Sequence, residues 1–365
     1  MNRIVNKFAF FLLTLTLMGS QLHAQFTTTF AKNVAPGQQN GLYYSLPQTV
    51  LKLDFIIQET ELKKGPLSDY AYNYMEMSDY VEYDATEYKL LDVKINSIAR
   101  PDPEAMFFVT FTPIRGAGKP EFDVLPNGII RSVGVSKNPE AKETKEENPL
   151  EFKTIPPCCH EMPDHNLEFI SLVSAGKTNS QIAKEVVDKI SEIRKAKFYL
   201  ISGDVEMATN PETFNAMYQK LDEMETEYQS LLLGKRSVKT VVKSIYLVPK
   251  EEDTLQTIAK FSEAEGLTMG PKGSGSPISV HVVSQNTIST INAPSRSAVE
   301  SMSYENKVFY RIPEVANVKV ALGKELLIED RLTINQLGVF LTAPLTNNKL
   351  VFDIETGQIV NMKMQ

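Results

Sequence analysis

Two hydrophobic periods divide the chain. In its first third, Leu51, Leu53, Phe55 and Ile57 alternate with Lys52, Asp54 and Gln58, and Leu91, Val93 and Ile95 alternate with Asp92, Lys94 and Asn96. Alternation of this kind puts one face of each strand on a core and the other in water. Residues 106–112 and 129–135 continue the sheet. Between the first two strands, Gly65 and Pro66 open residues 67–77, where a short helix packed on that sheet is expected.

The period then changes. Thr178 with Gln181 forms a capping box, followed by Ile182, Val186, Ile190 and Ile193 at helical spacing up to about Leu200. Asn210 and Pro211 supply an N-cap and a proline at the first helical position. Phe214, Met217, Leu221, Met224, Tyr228 and Leu231 then repeat at three and four before Gly234 ends the run. Two long helices joined by a short turn around Gly203 make an antiparallel hairpin, which either packs on the adjacent sheet or protrudes to dock a partner. Strands return at 238–248, 278–284, 307–312, 315–321, 326–334 and 339–342. A terminal hairpin sets Leu350, Phe352 and Ile354 against 359–364 across Glu355, Thr356 and Gly357.

The expected fold is α+β, with mostly antiparallel sheets in two β-rich parts, 25–136 and 236–365, and the long antiparallel helical hairpin, 167–235, between them. Residues 137–166 form a linker, because in 137–149 Ala141 is the only apolar residue and such a stretch cannot bury surface. The β-rich parts are also compatible with one fold carrying a helical insertion.

The first 24 residues have another use. Arg3 and Lys7 precede an apolar run at 8–18, then Gly19, Ser20 and Ala24, the arrangement of a cleaved signal peptide; a membrane span needs about 20 apolar residues. A lipid-anchored protein would carry Cys after the cut, where Gln25 stands. The protein is therefore expected to be exported to the periplasm or cell surface, with cleavage near Ala24 and no membrane span in the mature chain.

Composition narrows the function. Over 365 residues, Lys and Arg (38) are outnumbered by Asp and Glu (45), giving a net charge of −7, and no basic block offsets it. Nucleic acid is excluded as a partner on that ground. Gly176 to Ala183 looks like the first helix of a helix-turn-helix, but the helix runs on through Glu192 with no basic recognition helix after a short turn. The glycines of 270–276 lack the spacing of a phosphate-binding loop, since Lys272 precedes the second glycine. No nucleophile elbow occurs, and His160, His165 and His281 sit in no triad context. No cofactor, catalytic residue or metal ligand is assigned.

The segment Pro156 to His165 is the most chemically suggestive, with Cys158, Cys159, His160, Glu161, Asp164 and His165. His160 and His165 are five apart with Pro163 between them, so the one-turn spacing of a helical zinc site fails, and adjacent cysteines seldom both turn toward one metal. A proline-rich linker holding a vicinal Cys158–Cys159 disulfide or two buried thiols outweighs a metal site or redox switch. Tyr70, Tyr72, Tyr74, Tyr80, Tyr83 and Tyr88 place six of the 14 tyrosines within 19 residues. Tyr70, Tyr72 and Tyr74 are candidates for stacking a sugar or peptide, set against the simpler reading that Tyr70 and Tyr74 pack on the sheet beneath.

Gly41 to Pro47, the Lys64, Gly65, Pro66 opening of the tyrosine-rich stretch, and Ile193, Arg194, Lys195 to Ser202, Gly203, Asp204 together resemble an uncharacterised domain-of-unknown-function family of exported Bacteroidetes proteins. The resemblance spans almost the whole mature chain and implies a Gram-negative envelope address; it transfers no catalytic residue. The expected function is a non-catalytic binding or scaffolding protein whose partner is an envelope protein or glycan. The alternative is a hydrolase of glycan or peptide, using carboxylates that only the fold brings together.

Overall fold

The computed structural model describes residues 25–34, 40–112, 119–136, 176–202, 210–250, 254–270, 273–346 and 348–364. In chain order the strands are β1 (Gln25–Phe30), β2 (Gly41–Lys63), β3 (Ala85–Thr112), β4 (Lys119–Val124), β5 (Ile130–Ser136), β6 (Lys235–Leu247) and β7 (Thr254–Ser262). They continue as β8 (Gly266–Met269), β9 (Ser276–Ser284), β10 (Tyr304–Glu305), β11 (Lys307–Leu322), β12 (Glu325–Pro344), β13 (Asn348–Phe352) and β14 (Ile359–Met364). The helices are α1 (Ala71–Met75), α2 (Asn179–Ser202), α3 (Pro211–Leu233) and α4 (Arg296–Glu300).

These strands pair antiparallel into two five-stranded sheets, β10-β1-β3-β2-β6 and β12-β11-β9-β7-β8, and one four-stranded sheet, β14-β13-β5-β4. Strands from before and after the helices share sheets: β6 pairs with β2, β10 with β1 and β13 with β5. The α+β class and antiparallel pairing agree with the sequence, and the helices leave and re-enter one interwoven β structure.

Several short predicted strands are halves of longer ones. β11 joins 307–312 to 315–321, and β12 joins 326–334 to 339–342. Each long strand crosses from one core to the other. The first core gathers Phe26, Phe30, Tyr44, Phe107, Val133, Phe309, Phe340 and Leu350; the second gathers Leu51, Leu53, Phe55, Val93, Ile245, Val280, Val318 and Ile334. Burying a large apolar side chain contributes about 1.5–3 kcal/mol, so the inward residues of these strands fix the register.

Between the cores the strands bend at irregularities. β2 and β3 shift register between Ser45 and Pro47, and β11 and β12 shift between Ile312 and Glu314. At the second bend a Cβ on Gly338 would stand 2.1 Å from the Ile312 carbonyl oxygen, so the two chains approach there as only glycine allows. A third shift corrects one expectation. Ile56 faces Asp92 and Ile57 faces Leu90, which leaves Leu91 as the extra residue of a bulge, exposed rather than on the core face with Val93 and Ile95.

Both helix starts behave as their sequences foretold. Asn210 accepts the Glu212 N–H at 2.9 Å, and Gln181 accepts the Thr178 N–H at 3.0 Å. The helices are antiparallel, because Arg194 meets Glu225 at 2.7 Å while Lys197 meets Asp222 at 2.7 Å and Glu225 at 2.8 Å.

Candidate functional site

The surface with the clearest capacity for contact is the outer edge of β6. Gly234 ends α3 with φ +81° and turns the chain into the strand, which runs beside β2 for its full 13 residues, from Lys63 opposite Lys235 to Leu51 opposite Leu247. β6 is the last strand of its sheet among the described residues. An unpaired edge presents a row of backbone donors and acceptors to any chain able to lie alongside.

Strand alternation gives β6 two unlike faces. One carries Lys235, Lys239 and Lys243, then the buried Ile245 and Leu247, which join the second core. The other carries Val238, Val242 and Tyr246, exposed to 60%, 57% and 53%. The Arg100 guanidinium lies 5.4 Å from the Tyr246 ring centre, and the Ser244 hydroxyl donates to Asp54 at 2.5 Å. That hydrogen bond, with the one from Lys52, holds the Asp54 carboxyl below its ordinary value, and the bond to Asp54 holds the Lys52 ammonium above its own. Lys239 meets Glu59 at 2.9 Å, Arg236 meets Asp79 at 2.6 Å, and Lys243 donates to the Leu267 carbonyl at 3.4 Å.

The end of β6 comes beside β7 and β9 of the second large sheet. A groove of about 300 Å³ opens between them, lined by Leu247, Val248, Pro249, Lys250, Gln256, Val280 and Val282. Five of its seven lining residues are apolar, but the surface it exposes is as much polar as apolar, and none of the seven is a carboxylate.

The bends between the cores hold the most deeply buried charges. Arg311 donates to Asp102 at 2.7 Å and to the Pro47 carbonyl at 2.9 Å, and its guanidinium lies 4.6 Å from the Phe340 ring centre. Burial pulls the Arg311 value down, while Asp102 opposes that shift by pairing with the cation. Nearby, burial raises the Glu314 carboxyl, but hydrogen bonds from the Thr287 N–H and hydroxyl and from the Ile288 and Val315 N–H groups outweigh it, and the net shift is downward. Thr49 and Gln336 bond each other's strands through backbone and side chain. These contacts tie the bends together, although Arg311 Nε is buried without a hydrogen-bond partner among the described residues; a buried ion pair held in this way is a structural device.

The tyrosine candidates are divided. Tyr70 and Tyr74 pack with Leu67, Ala71, Ile182, Ala183, Val186 and Leu232, so they lie on the helical hairpin and not on the sheet. The Tyr74 hydroxyl is 2.7 Å from that of Ser180. Tyr72 points outward at 66% exposure. The expected helix over 67–77 is a 3-10 turn, Ser68–Tyr70, leading into α1. Gly65 has a reason to be glycine: a Cβ there would stand 2.5 Å from the Leu231 carbonyl, the same oxygen that accepts the Leu67 N–H. Cys158, Cys159, His160 and His165 lie outside the described residues. His281 sits half-buried on β9 between Leu255 and Lys319. Among the described residues no group of three or more His, Cys, Asp or Glu side chains is placed to hold a metal, and no helix is long and apolar enough to cross a membrane.

A family model described as a domain of unknown function, DUF4831, matches residues 40–360. The chain belongs to the DUF4831 family. No curated protein and no solved structure matches it. The DUF4831 match begins one residue before β2 and ends inside β14, so it takes in the second core, the first core apart from Phe26 and Phe30 of β1, the helical hairpin and the β6 edge. The sequence pointed to an exposed β edge, the hairpin or the tyrosine-rich stretch as the contact surface but did not place the edge at β6: that segment was legible as a strand, and its neighbours depend on pairing with residues about 180 positions away. The one local signal was its run of lysines beside outward valines.

Proposed function

We propose that this DUF4831 protein is a non-catalytic binding or scaffolding component of the Gram-negative cell envelope, exported by a signal peptide cleaved near Ala24, with an envelope protein or glycan as its partner. The observation that carries the binding reading is the β6 edge: a long strand that has no neighbour on its outer side among the described residues, bearing three exposed apolar side chains in line on its outer face. Edges of this kind recruit extended segments, whereas protein edges with no such use are short, covered or bulged.

A photo-crosslinking residue placed at Val242 tests the reading in cells that make the protein. The expected result is one dominant adduct from Val242 and none from the same probe at Leu326, an exposed position on β12. Equal labelling from both positions, or none from either, would remove the edge as the binding surface. Fractionation of the same cells, with mass determination of the mature amino terminus, tests the address.

A further inference from the structure

The chemistry of the two β6 faces specifies what kind of segment fits. We infer that β6 receives an extended, acidic segment of a partner protein as an added strand, with acidic side chains on one face and apolar side chains on the other. This deepens the binding reading above and rests on it.

Residues directly opposite each other on neighbouring antiparallel strands share a face of the sheet. On the inner face a newcomer meets Lys235, Lys239 and Lys243, spaced four apart with Ser237 and Val241 between them; β6 itself contains no carboxylate, and of the three only Lys239 has an acidic partner among the described residues, Glu59 of β2. On the outer face it meets Val238, Val242 and Tyr246, with Thr240 and Ser244 between them. A segment alternating acidic and apolar residues therefore satisfies both faces at once. Beyond Lys243 the inner face becomes apolar at Ile245 and Leu247, where the groove lined by Val280 and Val282 has room for an apolar side chain of the segment.

Two alternatives fit less well. Lysines on an edge also serve to prevent pairing, but an edge built only for protection has no reason to keep an apolar row on its outer face. A second copy of the chain is disfavoured by charge. Two β6 strands continuing one sheet antiparallel place odd residues opposite odd residues: centred on residue 239 or 241 they set Lys239 against Lys239 or Lys243, where like charges repel, and centred on 240 or 242 each lysine meets a neutral residue and gains no partner.

The probe is a synthetic peptide of about ten alternating Val and Glu residues, the length of an ordinary strand. Its controls are the Val/Lys counterpart and a Val/Glu peptide N-methylated at alternate amides along one edge, which removes ladder donors without touching the protein. The expected result is that the Val/Glu peptide binds, slows amide exchange across 235–247, and loses at least about tenfold in affinity at ~1 M salt, where screening acts within ~3 Å. The Val/Lys and N-methylated peptides are expected to bind at least about tenfold more weakly. The combined Lys235→Gln, Lys239→Gln, Lys243→Gln variant, with its fold checked by circular dichroism, is expected to lose preference between the acidic and basic peptides. Equal binding of the Val/Lys peptide, exchange protection confined to α2 and α3, or β6 protection that tracks protein concentration without peptide would each overturn the inference. Binding to a cell-derived partner through the hairpin alone would overturn it while leaving the scaffolding role standing.

Discussion

The large sheet that begins at β10 and ends at β6 treats its two margins in opposite ways. At one margin β1 is covered by the two-residue β10, the Thr28 hydroxyl donates to the Lys307 carbonyl at 2.8 Å, and Asn306 accepts the Phe26 N–H at 3.2 Å. Phe26 and Phe30 are buried there, and Lys32 reaches Glu300 of α4 at 2.6 Å. At the other margin β6 runs its full length with valines and a tyrosine in water. An open edge is an invitation to pairing, so a sheet that closes one margin and leaves the other bare among the described residues treats the two differently, and we read the open one as kept for use.

The closed margin should break first and hardest. Phe30 packs against Phe107, Phe309 and Phe340, with ring centres 4.7, 5.4 and 6.2 Å away, so Phe30→Ala is expected to cost about 3–5 kcal/mol in denaturant unfolding. A loss under ~1 kcal/mol would mean that this margin is no better held than a surface strand. Thr28→Val keeps the shape but removes the bond to Lys307 and leaves a carbonyl without its partner, with an expected loss of about 1 kcal/mol by the same measurement.

The margins also show where sequence reading succeeds. Local physics was legible: Thr178 with Gln181, Asn210 with Pro211, and the inward row Leu51, Leu53, Phe55 and Ile57 take the places their spacing required, and the hairpin at Gly357 forms with Leu350 and Phe352 on its strand, though Ile354 lies in the exposed turn. Long-range choices were not. Leu91 has the alternation of a core residue, but a bulge against Ile56 and Ile57 puts it in water. Tyr70 and Tyr74 have helical spacing, yet whether they cover a sheet or a helix depends on where α2 docks, more than 100 residues on. Nothing local separates β6, an edge, from β11, which is paired on both sides. Polar and apolar patterns set the faces of a strand, while its neighbours are set by the whole chain.

Acid sharpens the contrast. Hydrogen bonds from Lys32 and then Arg296 hold the Glu300 carboxyl below its ordinary value. A carboxyl lowered in the folded state stabilises above its unfolded value of about 4.3, and that stability is lost as pH falls through the folded value. Lys32 is half exposed, so the whole effect is about 0.2–1 kcal/mol. Thermal unfolding followed from pH 7 downward should therefore show a steeper loss below about pH 4 in the parent than in Glu300→Gln. Parallel curves would show that the tie between β1 and α4 adds nothing to the closed margin.

The smallest effect belongs to the open margin and tests it most directly. Val242 pairs with Ile56 on the outer face and stands 57% exposed, so Val242→Ala removes side-chain surface that folding leaves largely in water. The expected change in unfolding free energy is within about 0.5 kcal/mol, with binding of an added strand weakened because that surface is buried only when the strand arrives. A buried valine would behave differently, since its truncation leaves a cavity and removes contacts the fold already makes. If Val242→Ala lowered stability by ~2 kcal/mol, as loss of buried apolar surface does, β6 would already be covered in the free protein and the two margins would be alike.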